Sequence, residues 1–242
     1  MPRPQTFRTL LWLWFALSLI ALAIGLRLAL IAPIDAAQGN IGSMIYYHVP
    51  MQVGGLTFPF VNLIGSLAYL YYRSRNLQRA IAFDALAVAA AEVTVLNLSV
   101  GILSGMLWAK PVWGIWWTWD ERLTTCLLLW LLYVSYLLVR RFSSTGQVYT
   151  LSAVISVFAA IDVPIVYMST RWYRTQHPSP VFFSGNPGAG LDKSLYPAFF
   201  SNLAAWLLWG FFLIALRYVL ERRRQQAQHA AVQHAIATPE AQ

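Results

Sequence analysis

Two of the four histidines lie outside the C-terminal tail, and each stands close to a proline in a segment that connects long apolar runs. His48 lies in MIYYHVP and His177 in RWYRTQHPSP. Proline biases the preceding residue toward extended backbone and can hold a short loop in a fixed shape. Two imidazoles from separate loops that meet in space could bind one metal from opposite faces. Haem iron is a natural candidate, because it accepts two axial nitrogen ligands.

Other uses of these histidines have to be weighed. A single histidine at a membrane interface is usually a capping or belt residue. A zinc ion would lack its third and fourth ligands, because no cluster of Asp, Glu or Cys accompanies the pair. The only cysteine, Cys126, excludes an internal disulfide and any cysteine-based metal motif. His229 and His234 belong to the polar tail, where we expect no ligand role.

A tryptophan-rich segment, WGIWWTWDERLT, is the third unusual feature, with four tryptophans and an aspartate within residues 113–120. If these residues are helical, one face carries Trp113, Trp116, Trp117 and Asp120, and Trp119 points away from it. The spacing therefore predicts a short helix at the membrane interface. An aromatic belt that anchors the loop is the simpler interpretation. The density of rings favours a flat platform for an aromatic ligand such as a porphyrin.

The elements that must position these residues are membrane helices. The chain of 242 residues is 58% hydrophobic and 11% charged, with a mean hydropathy of +0.54, which is too apolar for a soluble core. Runs of about 20 apolar residues are long enough to cross the bilayer as helices. Six occur, at 10–32, 52–72, 81–107, 123–139, 148–168 and 195–217. The sequence predicts an all-α bundle of six spans within residues 1–224, and a disordered tail over 225–242. The first run is too long for a signal peptide.

The distribution of basic residues predicts the orientation. Eleven of the seventeen Lys and Arg residues lie on the side that holds both termini, and five lie on the other. By the positive-inside rule both termini are cytoplasmic. The regions 33–51, 108–122 and 169–194 are then outside, with all the unusual residues. We attribute the net charge of +8 to these basic residues at the ends of the spans. We therefore expect no nucleic-acid partner.

Ionisable residues within the spans leave an alternative function open. Arg27, Asp84, Glu92 and Asp162 lie in apolar surroundings, where a charge is costly and usually faces the bundle interior or a partner. Glu92 and Asp162 could relay protons or ions in a secondary transporter, or they are neutral or paired structural groups. A membrane haem oxidoreductase is a third possibility, although such cytochromes usually place histidine pairs inside helices.

The tryptophan segment also resembles a known signature. WGIWWTWDERLT is similar to the WGxxWxWDxRLT motif of the haem-handling membrane proteins with a tryptophan-rich "WWD" segment. Within that superfamily, the six spans and the segments YYHVP and RWYRTQH resemble the CcmC family, the haem-delivery subunits of the bacterial system I cytochrome c maturation pathway. The resemblance runs from the first span to the sixth.

The resemblance implies a specific set of roles. His48 and His177 would be the axial ligands of a transiently held haem b at the periplasmic face of the inner membrane. The haem platform would be formed by Trp113, Gly114, Trp116, Trp117, Trp119 and Asp120. Haem would pass to the chaperone CcmE, with CcmD and the ATP-binding cassette subunits CcmA and CcmB completing the complex, and the chain would catalyse no reaction itself.

The haem propionates would need cations on the same side. The sequence offers Arg122, Arg171 and Arg174 there. The planar guanidinium group of arginine matches a carboxylate with two parallel donors.

Overall fold

The computed structural model describes residues 4–143, 147–178 and 190–237, and these residues form helices without any β-strand. The six α-helices are Pro4–Ile31 (α1), Ile45–Tyr72 (α2), Leu77–Trp113 (α3), Glu121–Phe142 (α4), Val148–Trp172 (α5) and Tyr196–Ala237 (α6). Short 3₁₀ turns, Asn40–Met44 and Lys193–Leu195, precede α2 and α6. All six helices are long and apolar enough to cross a membrane. The prediction of an all-α bundle with six spans is confirmed.

Helix α2 begins earlier than the hydrophobic run indicates. It starts at Ile45 rather than near residue 52, so that His48 and Pro50 lie inside the helix. The prediction that His48 sits in an extended loop is therefore wrong. Pro50 is the sixth residue of α2, so the Tyr46 carbonyl lacks the helical N–H partner that another residue at this position would supply. Tyr46 stabilises the added turn, because its 2% exposed ring packs against Phe199 of α6.

The predicted short helix over residues 113–120 is also wrong. Helix α3 ends at Trp113, and Gly114 caps it in the left-handed conformation, with φ of 77° and its N–H bonded to the Lys110 carbonyl at 3.0 Å. Asp120 then caps the start of α4, where its Oδ1 accepts from the Leu123 N–H at 2.9 Å. A glycine after a helix and an aspartate before one are strong end signals. The chain therefore turns between two caps and cannot continue as a helix.

The C-terminal segment differs from the prediction too. Helix α6 continues through 225–237, for which the composition indicates disorder. Alanine and glutamine are good helix formers, so the helix extends once α6 has nucleated it. The side chains of His229 and His234, and residues 238–242, lie outside the described part of the structure. The boundary of the membrane domain at residue 224 stays a prediction.

Small residues bring α2 and α3 into close contact. The Cα atoms of Gly54 and Gly55 face Asn97 and Leu98 of α3 with no room for a larger residue. At Gly65, a Cβ atom would lie 2.9 Å from both the Phe83 carbonyl oxygen and the Ala87 nitrogen. Close backbone approach of this kind is how membrane helices associate when lipid is as apolar as their side chains.

Two ion pairs join helices inside the bundle. Arg140 of α4 donates both terminal nitrogens to the Asp84 carboxylate of α3, at 2.6 and 2.8 Å. Arg217 of α6 makes a matching two-bond contact with Glu92 of α3. Charges in apolar surroundings are tolerated when they are paired in this way. Asp84 and Glu92 therefore have structural partners.

Asp162 and Arg27 lack such partners among the described contacts. Asp162 of α5 is 5% exposed, and its Oδ2 atom is buried without a hydrogen bond within the described residues. Arg27 of α1 is exposed on the outer surface of the bundle. The four charged residues thus have different surroundings, which the sequence did not distinguish.

The α2–α3 contact leads to a stability prediction. Gly65→Ala should destabilise the protein by about 1–3 kcal/mol, because the new methyl group meets backbone atoms that cannot rotate away. Gly190→Ala is the control, since no atom of the described residues lies within 4 Å of its Cβ position. Thermal unfolding in detergent micelles measures both. Equal unfolding midpoints for the two variants would contradict the close contact at Gly65.

Candidate functional site

The three segments that connect α1 to α2, α3 to α4 and α5 to α6 meet at one end of the bundle around a cavity of about 650 Å³. A volume of this size is typical of small-molecule sites. Both histidines named above contribute to its wall. Its principal polar and aromatic lining residues are His48, Gln52, Trp108, Trp113, Trp116, Trp117, Arg122, Tyr167, Thr170 and His177.

His48 is held against α3. Its side chain is 8% exposed, and its Nδ1 atom lies 3.1 Å from the Ser104 hydroxyl oxygen. The edge of Trp108 packs on the imidazole, with ring centroids 5.7 Å apart and planes at 78°. Trp108 is held in turn by a hydrogen bond from its Nε1 to Gln38 Oε1 at 2.8 Å. The ring of His48 therefore has a defined orientation.

His177 reaches the same cavity from the segment after α5. Its Nδ1–H donates to the Pro178 carbonyl at 2.9 Å, which leaves the lone pair on Nε2. Burial and the positive charge of Arg122 lower its pKa to about 4 from the usual value of 6.5. At neutral pH the imidazole is therefore uncharged, which is the form that binds a metal.

The donor set fits haem iron better than a bare metal ion. Within the described residues, no group of three or more His, Cys, Asp or Glu side chains is placed to hold an ion. Zinc and similar ions need three or four protein ligands. Haem supplies four nitrogens of its own and needs two axial ligands, which His48 and His177 can provide from one cavity.

Three of the four clustered tryptophans line the cavity, and the fourth does not. Trp113, Trp116 and Trp117 contribute to the wall. Trp119 is 74% exposed and packs edge-on against Trp117, with ring centroids 5.7 Å apart. The buried Nε1 of Trp117 has no hydrogen-bond partner among the described residues. A ligand in the cavity would therefore contact three indole rings of this segment in addition to Trp108, and Trp117 has an unused donor nearby.

Gly114 and Asp120 shape the segment rather than the cavity wall. Both are helix caps, as described above, and neither lines the cavity. The second carboxylate oxygen of Asp120 is buried without a partner in the described residues. The first oxygen accepts from the backbone N–H of Leu123.

The three candidate arginines are placed differently. Arg122 lines the cavity, and one of its nitrogens donates to the Val166 carbonyl of α5. Arg171 turns toward Tyr167, with its guanidinium carbon 4.5 Å from the ring centroid. Arg174 has an exposed side chain and does not line the cavity. Of the three, Arg122 alone is on the cavity wall.

Sequence reasoning missed several lining residues. Gln52 follows His48 by one helical turn and would have been found if the N-terminal turn of α2 had been recognised. It accepts a hydrogen bond from the Cys126 thiol at 3.4 Å. The packing of α2, α3 and α5 brings Trp108 and Thr170 to the wall and Ser104 to His48, and no sequence signal marks these residues.

The low pKa of His177 is directly testable. In the ligand-free protein, His177 should stay neutral as the pH falls through 6.5 and should gain its proton only near pH 4. Arg122→Gln should move this titration to higher pH, because it removes a positive charge that opposes protonation.

The measurement is an NMR pH titration of labelled histidines, assigned with His177→Ala. Arg174→Gln is the matched control, because Arg174 is exposed and does not contribute to the shift. A His177 midpoint near 6.5, or equal midpoints in the two arginine variants, would contradict the site described here.

Comparison with known proteins identifies the family. Residues 3–233 match the family model described as Heme exporter protein C. The chain is 36% identical over 223 residues to Heme exporter protein C of Bradyrhizobium diazoefficiens, covering 90% of this chain and 81% of that protein. It is 27% identical over 226 residues to Heme exporter protein C of Escherichia coli K12, covering 91% and 86%. A putative cytochrome c biosynthesis ccmC-like mitochondrial protein of Marchantia polymorpha is 30% identical over 212 residues, with 87% and 83% covered. The chain belongs to the heme exporter protein C family.

Proposed function

We propose that this protein binds haem in the cavity described above and delivers it to another component of cytochrome c maturation. Family membership and the names of the relatives support a role in haem handling for cytochrome c biosynthesis. The observation that carries the proposal is the presence of two histidines and four tryptophans on the wall of one cavity, three of the tryptophans coming from the tryptophan-rich segment. The role is binding and transfer, rather than catalysis.

The axial ligands are His48 and His177, each through Nε2. His177 is neutral at physiological pH, and its Nδ1 proton is already engaged by a backbone carbonyl. His48 is fixed in orientation by α3. Such ligation would hold haem b without a covalent bond between the porphyrin and the protein, which permits the transient binding that delivery needs.

The tryptophans cover the porphyrin. Trp113, Trp116 and Trp117 line the cavity and would contact the macrocycle, while Gly114 and Asp120 fix the segment that carries them. Large flat rings bury much apolar area with little loss of conformational freedom. Trp119 lies outside the cavity and is available to the protein that accepts the haem.

The propionates of haem would be met first by Arg122. It is the cavity-lining arginine, and a carboxylate can replace the Val166 carbonyl as its acceptor. Arg171 and Arg174 lie near the mouth, in and just after the last turn of α5, and can meet a second propionate there.

The protein would reside in the bacterial inner membrane with this cavity at the periplasmic face. The excess of Lys and Arg at the end of the bundle that holds both termini supports that orientation. The acceptor would be the haem chaperone CcmE, and CcmD, CcmA and CcmB would complete an ATP-binding cassette complex.

A secondary transporter that uses Glu92 and Asp162 is the alternative. The pairing of Glu92 with Arg217 argues against it, because a relay group has to gain and lose a proton freely. Asp162 keeps one unpartnered oxygen, which is the observation in favour. Glu92→Gln and Asp162→Asn separate the two functions, since haem binding should survive both substitutions.

The ligand assignment is tested by absorption spectroscopy of the purified protein. The parent should show a low-spin, bis-imidazole haem signal, and His48→Ala and His177→Ala should each lower haem retention by more than about tenfold. His229→Ala in the tail is the control and should retain the parent spectrum. A spectrum that survives both cavity substitutions would refute the assignment.

Binding and transfer can be separated with two tryptophans. Trp117→Ala should weaken haem retention, because the residue lines the cavity. Trp119→Ala should retain haem and slow its transfer to the acceptor by about tenfold or more, as expected for an aromatic anchor of an interface. Transfer rates to purified acceptor measure this. Equal effects of both variants on haem retention would argue against separate roles.

A further inference from the structure

The contact between His48 and Ser104 carries an inference about the protonation of the histidine. Ser104 lies in α3, and its hydroxyl oxygen is 3.1 Å from His48 Nδ1. The same oxygen is 2.7 Å from the Val100 carbonyl and 3.1 Å from the Gly101 carbonyl. One hydroxyl group is therefore placed between a ring nitrogen and two backbone acceptors.

A count of protons decides the direction of these hydrogen bonds. A serine hydroxyl has one proton and two lone pairs, and a carbonyl oxygen can only accept. The proton of Ser104 is therefore directed at the backbone of α3, and a lone pair faces His48. Nδ1 of His48 must then be the donor, and the lone pair of the neutral ring is on Nε2.

The ring cannot easily turn to reverse this arrangement. A Cβ atom on Gly105 would lie 2.9 Å from Cε1 of His48, so the imidazole rests directly on the α3 backbone. Trp108, whose Nε1 donates to Gln38, packs against another side of the imidazole. The backbone of Gly101 is a second hydrogen-bonding partner of the ring. The contact with defined geometry among the described residues is the one between Nδ1 and Ser104.

We propose that Ser104 is a positioning residue that holds His48 in the Nδ1–H tautomer, so that Nε2 is ready to bind iron. The iron-binding part rests on the proposed function, whereas the tautomer is a property of the ligand-free protein. The two histidines differ in this respect. The tautomer of His177 is set by a backbone carbonyl, which substitutions of side chains do not remove.

Ser99 provides a matched control on the same helix. Its hydroxyl donates to the Val95 carbonyl at 2.7 Å and accepts from the Trp130 ring N–H at 2.8 Å. The hydrogen-bond pattern is the same as that of Ser104, but the ring is not a histidine. Ser99→Ala therefore reports the general cost of losing such a hydroxyl from α3.

The first experiment is ¹⁵N NMR of the full, haem-free chain with labelled histidines, assigned with His48→Ala. The parent protein should show His48 with a protonated Nδ1 and an unprotonated Nε2. Ser104→Ala should shift the population toward the other tautomer, and Ser99→Ala should not. A protonated Nε2 in the parent protein overturns the proposal by itself. An unchanged tautomer in a folded Ser104→Ala protein also overturns it.

The second experiment measures haem. Ser104→Ala should lower haem affinity about tenfold or more, which is typical for loss of the group that orients a histidine ligand. Ser104→Thr should keep the parent affinity, because threonine retains the hydroxyl group. Haem binding by both variants is measured from the low-spin signal in electron paramagnetic resonance. If Ser104→Thr and Ser99→Ala lose as much haem affinity as Ser104→Ala does, Ser104 has a packing role only and the proposal is overturned.

The two proposals fail in distinguishable ways. If the NMR result holds but His48→Ala binds haem as well as the parent does, the haem-ligand assignment is wrong and the tautomer assignment stands. If His48→Ala loses haem but the tautomer does not depend on Ser104, the positioning role alone is wrong.

Discussion

The close contact between α2 and α3 is the constraint on which the rest of the structure depends. Gly54, Gly55 and Gly65 let the two helices approach over the middle part of α2. The same contact continues to the cavity, where the ring of His48 packs directly against Gly105 of α3. Because the helices are this close, one turn of α3 can support His48 with a hydroxyl and with an indole edge. The packing of small residues, which stabilises the bundle, thus also determines the geometry of the site.

The two histidines are held by different kinds of structure, and this difference suits the proposed transfer of a bound ligand. His48 lies in a buried helical turn supported from α3, whereas the hydrogen bonds described for the His177 segment are local, from its ring to Pro178 and from Thr175 to its carbonyl. A ligand bound between them would have His48 as a rigid partner and His177 as a partner with only local support. The tryptophan segment has the same character, since it is a turn between two caps and not a helix embedded in the bundle.

The sequence predicts the six spans because each is a long apolar run, and it predicts the meeting of His48 and His177 because both lie in segments on one side. It does not predict that His48 is helical, because Pro50 two residues later is a typical loop signal. The burial of Tyr46 against α6, which supports the helical turn, is known only from the structure. The periodicity of the tryptophans suggested a helix, but Gly114 and Asp120 are end signals that carried more weight. Ser104 could not be predicted, because its partner lies 56 positions away in the chain and is found only through packing.

The charged residues within the spans explain why movement would be confined to the cavity end. The Asp84–Arg140 pair joins the start of α3 to the end of α4, which is the end of the bundle far from the cavity. Separating such a buried pair leaves charges without partners in an apolar environment and costs several kcal/mol. Glu92 and Arg217 join α3 to α6 in a similar way, deeper along both helices. The cavity end has no comparable clamp among the described ion pairs, and connecting segments contribute part of its wall. A clamped base with an unclamped opposite end would suit the haem transfer that is proposed above.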